Sequence, residues 1–390
     1  MKINRFLLSI LCCFLLNAAL FQGVARAGSN EWTPFASLKE EYTDNLFLSA
    51  TDEVDDFIST LSAGLRYRFQ DQRSDAGASV RLDSLYYNKE TELDAVDQRY
   101  SGHLSHQLTD RLGCKVSGSY VKDSRPDRDI DVSGLVLNTD IRQRQEYSLS
   151  AQYAMTPVTM GTCGFSFSRD AYDDSESSDV DTQGASFSIS HDMSKWAAST
   201  TGIVFTSLTR YAYDIVDIDS WSVTVGFIRR ITELWQLEVS LGGRLTRSAY
   251  DVVYYEDSEE TGTVGAISLG YRGEYTQYGL RASRDISTAG NETGVTERTS
   301  LTANYQYRFA RELVALFSAG YYLNQADRNS LSTRDIDETT VSVHPGLRWE
   351  ITRDLKLDVY YTYTALEDSA NDTSAGRNRA FIELGYQFPI

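Results

Sequence analysis

The sequence predicts an all-β fold, a single transmembrane antiparallel up-and-down β-barrel of about 18 strands (16–18). Three observations predict it. Apolar and polar residues alternate in runs along most of the chain, the connections between runs alternate between short and long, and the last run reaches the C-terminus. An even number of strands would place both termini in the periplasm. A soluble β-sandwich or propeller is the alternative, but it gives no reason for connections of two alternating lengths.

The predicted domains are a secretory signal peptide, residues 1–27, and one outer-membrane barrel, residues 28–390. A basic N-terminus and the apolar run Phe6–Phe21 precede the small residues Ala25 and Ala27, which suit cleavage by signal peptidase. Beyond this segment, no apolar run approaches the ~18–20 residues that a helical span requires. The mature chain is therefore expected to leave the cytoplasm and to be either soluble or a barrel.

Composition agrees with a barrel. The chain contains 26 glycines, 25 tyrosines and only 5 prolines in 390 residues, which suits a long antiparallel sheet with aromatic edges. Its mean hydropathy of −0.36 is no objection, because the lumen and loops of a barrel are polar. A formal net charge of −18 argues against nucleic acid as a partner. Only Cys114 and Cys163 follow the signal peptide, and we expect free thiols on the lipid side of strands two apart.

The individual strands are expected where apolar residues occupy alternate positions between turn signals. The clearest runs are Phe57–Phe69, Tyr147–Tyr153, Trp221–Phe227, Trp235–Leu241, Leu301–Phe309, Leu355–Tyr363 and the aromatic-rich final strand Ala380–Ile390. Short periplasmic turns are expected near Gln70–Asp75, Thr109–Arg111, Thr156–Val158, Met193–Lys195, Arg229–Glu233, Gly273–Thr276, Ala310–Glu312 and Thr352–Asp354. Long outward-facing connections are expected at Asn45–Asp56, Asn88–Asp97, Asp123–Asp140, Asp170–Asp181, Arg210–Asp219, Ser248–Gly262, Asp285–Glu297, Gln325–Asp337 and Leu366–Gly376.

Aromatic residues are expected to form belts at the two membrane interfaces. The candidates lie near strand ends and are Tyr67, Phe69, Tyr86, Tyr87, Phe309, Tyr321, Tyr322 and Trp349.

Basic residues are predicted to line the lumen, since alternation that turns apolar residues to lipid turns the residues between them inward. These residues are Arg66, Arg68, Arg81, Arg99, Lys115, Arg244, Arg272, Arg281, Arg308, Arg348, Lys356 and Arg379. A barrel of this size holds water, and guanidinium groups attract carboxylates or sulfates. They would then select an anionic solute. Alternatively, they form charge ladders with lumenal carboxylates and only stiffen the wall.

The outer loops carry the opposite charge. Clusters within Asp52–Asp56, Asp173–Asp181 and Glu256–Glu260 suit a solvated surface whose carboxylates bridge divalent cations to lipopolysaccharide phosphates, or else an acidic gate above a basic lumen. The loop Asp123–Asp140 differs because it contains an apolar patch that would be costly in water. It is predicted either to fold into the pore as a constriction or to extend the rim as a hairpin. The patch residues are Val132, Gly134, Leu135, Val136 and Leu137.

No catalytic or metal-binding pattern is evident. The four histidines lie on separate predicted strands, without the serine, aspartate or ligand spacing that specifies a hydrolase or a metal site. The chain is therefore expected not to be an enzyme and to need no cofactor.

The segment around Tyr42, Asp44 and Asn45, followed by Phe57–Leu65, resembles the opening motif of the outer-membrane β-barrel porin 2 family, which is associated with exopolysaccharide systems. The resemblance implies a passive conduit that exports an extracellular polysaccharide through the outer membrane of a Gram-negative bacterium, and the basic lumen predicts that this polysaccharide is acidic. It implies periplasmic polysaccharide-export proteins as partners, besides outer-membrane lipid, lipopolysaccharide and the barrel-assembly machinery. The alternatives are a general or anion-preferring diffusion porin for small solutes, and a structural or adhesive surface barrel.

Overall fold

A computed structural model describes residues 28–125, 128, 130, 141–173, 177–251, 256–290, 292–328 and 330–388. In this part of the chain, eighteen strands follow one another with a single short 3-10 helix, Thr91–Leu93, between the third and fourth strands. The strands are β1 Ser29–Thr43, β2 Asp56–Gln70, β3 Ser74–Tyr87, β4 Ala95–Gln107, β5 Leu112–Asp123, β6 Arg142–Thr156, β7 Thr159–Tyr172, β8 Val180–Asp192, β9 Thr200–Ala212, β10 Val216–Arg230, β11 Trp235–Tyr250, β12 Ser258–Arg272, β13 Thr276–Thr288, β14 Val295–Arg308, β15 Leu313–Ala326, β16 Ile336–Glu350, β17 Leu355–Asp368 and β18 Thr373–Gln387.

The strands form one closed barrel. Each strand pairs antiparallel with the strand before it and the strand after it, and β1 pairs with both β2 and β18. At the closure, Leu38 lies opposite Leu61 on one side and Leu384 on the other, so the apolar row continues across the junction of first and last strand. The predicted 18-stranded up-and-down barrel is confirmed. The periplasmic location of the termini remains a prediction, and the signal peptide lies outside the described residues.

The outer surface is a band of apolar side chains. Leu241, Val225, Val204 and Ile189 lie opposite one another on four successive strands, and Leu241 and Val225 are 69% and 61% exposed. Such a continuous apolar row is stable where lipid, rather than water, surrounds the barrel. Among the described residues, no helix has the length and apolar character needed to cross a membrane.

The two ends of the barrel differ. One end, here the short-turn end, carries the turn between β2 and β3 and every second connection after it, whereas the other, the long-loop end, carries the remaining connections. The predicted loop Arg210–Asp219 is wrong, because β9 and β10 continue through it and only residues 213–215 connect them. Tyr211 and Ile218 hold these strand ends in place, because both side chains are buried on the lumenal face.

Loops at the long-loop end fold into the barrel and bury apolar residues there. The large lumenal cluster consists of Val180, Tyr211, Tyr213, Val216, Ile218, Ala289, Val295, Ala326, Leu331 and Ile336. Its members come from β8–β10 and the connection between β9 and β10, from the connections after β13 and β15, and from the adjoining ends of β14, β15 and β16. A small lumenal cluster consists of Leu46, Ile58, Leu85 and Tyr87. The long-loop half of the lumen is therefore partly filled with protein.

Aromatic pairs mark both interfaces on the outer surface. Trp32 and Tyr67 have ring centroids 4.4 Å apart near the short-turn end, and Tyr42 and Phe57 have centroids 4.8 Å apart near the long-loop end. Of the predicted belt residues, Tyr86 and Tyr321 are exposed, but Tyr87 and Tyr322 are buried. The belt assignment of these two is wrong because alternation turns the second tyrosine of each pair towards the lumen.

Cys114 and Cys163, the two cysteines among the described residues, are free. Cys114 on β5 and Cys163 on β7 both lie opposite Ala151 of the intervening strand β6. Strands two apart are separated by about 9–10 Å, which is beyond the reach of a disulfide. The prediction that Cys114 and Cys163 do not bond to each other is confirmed.

Candidate functional site: the channel lumen

Strand parity identifies the lumenal face. On β2, Phe57, Leu61 and Leu65 are exposed on the apolar outer face, so Arg66 and Arg68, which occupy the alternate positions, face inward. The same reasoning on the other strands turns inward all the basic residues predicted for the lumen. These are Arg66, Arg68, Arg81, Arg99, Lys115, Arg244, Arg272, Arg281, Arg308, Arg348, Lys356 and Arg379. They divide into two groups with different surroundings.

The first group is paired with carboxylates. Arg81 Nε lies 2.7 Å from Asp83 Oδ1 and donates from Nη2 to Ser62 Oγ at 3.0 Å. Arg99 on the next strand lies 3.6 Å from the second oxygen of Asp83, which is buried. Similarly, Arg348 Nε lies 2.6 Å from Asp358. For these arginines the charge-ladder alternative describes the structure, because their carboxylate partners lie in the wall itself.

A carboxylate surrounded by cations lies deeper in this group. Glu41 on β1 is buried and has Lys39 Nζ at 2.7 Å, Arg125 Nη2 at 2.5 Å and Arg379 Nη1 at 4.0 Å. Arg125 follows β5, four strands from β1, so its contact with Glu41 joins parts of the barrel that are not neighbouring strands. The network therefore ties the start of the β5–β6 loop to the inner face of β1.

The second group makes no ion pair with any carboxylate in the part of the chain that the structure describes. It includes Arg272, Arg281 and Arg308 on the consecutive strands β12, β13 and β14, all of them exposed. Arg281 lies between Ser268 and Thr302, which carry no charge. Three guanidinium groups are thus available to solvent on one side of the lumen.

Other members of this group lie on β2, β5 and β17. Arg66 covers the Phe35 ring at 4.4 Å from the centroid, while Lys115 is exposed. Lys356 is half-buried on β17. Arg68 falls outside this group, because it forms an ion pair with Asp75 at 3.7 Å in which both side chains are well exposed. The unpaired positive charge is concentrated in the half of the barrel that the inward loops do not fill.

The loop between β5 and β6 enters the lumen at its start. Arg128 Nε lies 3.1 Å from Asp123, and its guanidinium lies 5.9 Å from the ring centroid of Tyr172 on β7. Ile130 is buried. The residues predicted to form the constriction, Val132, Gly134, Leu135, Val136 and Leu137, lie outside the described residues, and their role remains a prediction.

The motif residues Tyr42, Asp44 and Asn45 lie where β1 meets β18. The Asp44 carboxylate accepts hydrogen bonds from the backbone N–H and the side-chain amide of Asn378, at 2.7 and 2.6 Å. Asn45 is fully buried and donates to the carbonyl of Gly376 at 3.1 Å. These contacts assign Asp44 and Asn45 to closing the barrel rather than to binding a solute.

Sequence reasoning missed Glu297 and Arg125, which both organise the lumen. Each falls within or beside a predicted loop, and nothing in the local alternation indicates that a loop folds inward. Glu41 is surrounded by three cationic side chains and Glu297 lies between two arginines, and both arrangements join residues that are distant in the sequence. The one local feature that indicates an inward loop is the apolar patch that includes Leu135, because apolar residues are costly to expose to water.

Comparison with known proteins supports the barrel assignment. No family model matches the sequence, and no curated protein matches it. Among solved structures, OccK2 (OpdF) of Pseudomonas aeruginosa aligns with a TM-score of 0.51 and 10% identity over 92% of this chain and 99% of its own. OpdK of P. aeruginosa has a TM-score of 0.49 and 11% identity over 92% of this chain and 99% of its own. A BenF-like porin of Pseudomonas fluorescens Pf-5 has a TM-score of 0.48 and 10% identity over 92% of this chain and 99% of its own.

At these identities the likeness concerns the fold. The expectation that the chain is not an enzyme agrees with the porin fold that it shares with OccK2. The resemblance to the β-barrel porin 2 family stays confined to residues 40–65, since no family model matches. With its closed 18-stranded sheet and its apolar outer band, the chain is an outer-membrane β-barrel of the porin fold.

Proposed function

We propose that the chain is a passive outer-membrane channel that prefers small anionic solutes, carboxylates above all. The observation that supports this is the unpaired set Arg272, Arg281 and Arg308, which presents three permanently charged guanidinium groups to the open half of the lumen. Arginine holds carboxylates in a planar, bidentate geometry and stays charged at all physiological pH values. A water-filled passage with such a wall concentrates anions and repels cations.

The neighbours include proteins that bind such solutes. OccK2 has been crystallised with glucuronate and OpdK with vanillate, both of which are small carboxylates. These facts concern those proteins, and for this chain the proposal rests on its own lumen.

Export of an acidic polysaccharide is the function that the motif resemblance implies. The described loops narrow the long-loop half of the barrel, where Arg125 spans to Glu41 and the large lumenal cluster fills space. This arrangement favours small solutes over a polymer chain. Deletion of the gene separates the two functions, since unchanged surface polysaccharide together with slower uptake of a small anion excludes export.

The experiment is a measurement of ion selectivity in planar bilayers. Replacing Arg272, Arg281 and Arg308 together by glutamine should lower the ratio of anion to cation permeability roughly threefold or more, and less so at high salt, because ions screen the wall charges. A matched control replaces the outward-facing Arg169, Arg210 and Arg247 by glutamine, which removes the same charge from the exterior. Wild-type channels without anion preference, or equal effects of both triple variants, would refute the proposal.

A further inference from the structure

The wall of the barrel is incomplete between β12 and β13. Their ladder joins Gly265–Arg272 to Gln277–Arg284, although β12 begins at Ser258 and pairs with β11 from there. Beyond this ladder, the end of β13 pairs with β14 alone, whereas β14 stays paired with β15 as far as Glu297. At the long-loop end, the hairpin of β13 and β14 therefore separates from β12 and remains attached to β15.

The hairpin bends inward. Ala289 and Val295 belong to the large lumenal cluster. Tyr213 donates a hydrogen bond to the carbonyl of Gly294, and the Tyr172 hydroxyl lies 3.3 Å from the carbonyl of Gly290. Both tyrosines come from the wall around β7–β10, so the tip of the hairpin crosses the lumen.

This bend brings together residues from opposite faces of the sheet. Arg244 lies on the lumenal face of β11, whereas Arg284 and Glu297 occupy outer-face positions on β13 and β14. One oxygen of Glu297 accepts from Arg244 and the other accepts from Arg284. A single carboxylate can bridge the two arginines only because the end of the hairpin lies on the lumenal side of β12.

The surroundings of Glu297 form a built site. The Arg244 side chain is 1% exposed and that of Glu297 is 16% exposed, whereas Arg284 is 44% exposed. Arg244 also donates to Thr246 Oγ1 at 2.6 Å and lies 3.9 Å from Glu260. Gly262 leaves the space, since a Cβ there would lie 2.3 Å from Arg244 Nη2.

We propose that Arg244 and Arg284 form a carboxylate-binding site that Glu297 occupies in the resting channel, and that a solute carboxylate replaces Glu297 and releases the hairpin from β11. Two convergent guanidinium groups recognise a carboxylate whatever molecule carries it. The partly exposed Arg284 gives an incoming anion access from outside. This inference rests on the proposed function, because the solute class that passes the channel is the one that competes with Glu297.

The test is the opening probability of single channels at constant ionic strength, with chloride replaced stepwise by acetate as the probe. In the wild type, acetate should raise the ratio of open to closed time about fivefold, the change that corresponds to ~1 kcal/mol. Glu297→Gln should show the high ratio without acetate and no further response. Glu259→Gln is the matched control, because Glu259 pairs with Arg247 on the outer face of the neighbouring strands.

Arg284→Gln supplies a second variant that removes half of the site without burying a charge, and it should lose the acetate response. The proposal is overturned if Glu297→Gln opens no more often than the wild type, or if wild-type opening does not depend on acetate. Reversal potentials recorded from the same channels test the proposed function separately. If the reversal potentials show no anion preference, the proposed function is refuted. The proposed site is tested instead by the acetate dependence of channel opening.

Discussion

Two seams of the barrel wall, separated by the six strands β13–β18, differ in construction. At the closure seam between β1 and β18, the ladder reaches Thr43 and Arg379, and Asp44 and Asn45 extend it by bonding to Asn378 and Gly376. At the seam between β12 and β13, the ladder stops at Gly265 and Arg284. One seam is closed by short polar side chains bonded to backbone, and the other is bridged by a carboxylate between two arginines.

The difference indicates which seam can change. Hydrogen bonds from a buried amide to backbone have no competitor once water is excluded, so the closure seam is permanent. A carboxylate held by arginines can exchange with any other carboxylate that reaches them. The exchangeable contact, Glu297 between two arginines, thus lies in the hairpin of β13 and β14, away from the junction between β1 and β18 that closes the barrel.

The largest effect is expected at the closure seam. Asn45→Ala should lower the free energy of unfolding by about 3 kcal/mol, because it removes three hydrogen bonds and leaves partly buried backbone groups unsatisfied. These bonds join Asn45 to both backbone groups of Ser49 and to the carbonyl of Gly376. The measurement is urea unfolding in detergent. Unfolding is monitored by SDS gel electrophoresis, in which the folded barrel of an unboiled sample migrates differently from boiled protein.

Asn371→Ala is the matched control for Asn45. Its side chain is exposed and bonds within its own turn to Asp368 at 2.6 Å. We expect little change in the unfolding free energy from it. Equal losses for both variants would show that the closure seam has no special weight.

An intermediate effect is expected at the open seam. Gly262→Ala places a methyl group against Arg244 and Glu297, which should cost about 1–2 kcal/mol through overpacking and should raise channel opening as Glu297→Gln does. Gly279→Ala on β13 is the control, because no heavy atom lies within 4 Å of a Cβ built there. A Gly262→Ala channel with wild-type stability and opening would contradict the assigned packing.

Sequence reasoning found what depends on local alternation. The face of β2 from Phe57 to Phe69 and the inward Arg66 and Arg68 follow directly from the period of a strand. The sequence predicts a loop at the strand ends around Tyr211 and Ile218, because the alternation of polar and apolar residues is reversed there. Their charged neighbours face outward and their apolar side chains face inward, since loops rather than water fill that half of the lumen.

The candidate site was predictable only in part. Alternation turns Arg272, Arg281 and Arg308 inward, but whether an arginine is free or paired depends on carboxylates distant in sequence. Arg244 and Arg281 both occupy inward positions by alternation, yet Arg244 is paired with Glu297, which lies 53 residues away along the chain. Glu297 belongs to the outer face by parity, and only the inward bend of its hairpin makes it a lumenal contact.

The smallest effect is expected from the ion pair beside the open seam. Arg247 and Glu259 lie directly opposite each other on β11 and β12, with Nε and Oε2 separated by 2.8 Å and side chains 67% and 55% exposed. Water screens such a pair, so a double-mutant cycle with Arg247→Gln and Glu259→Gln should give a coupling energy below about 0.5 kcal/mol. The corresponding cycle for Arg244 and Glu297 should give a clearly larger value, because Arg244 is buried and its charge would be left without its main partner. Equal coupling energies in the two cycles would mean that the inward bend does not exclude water from Arg244. The two seams would then differ only in their backbone pairing.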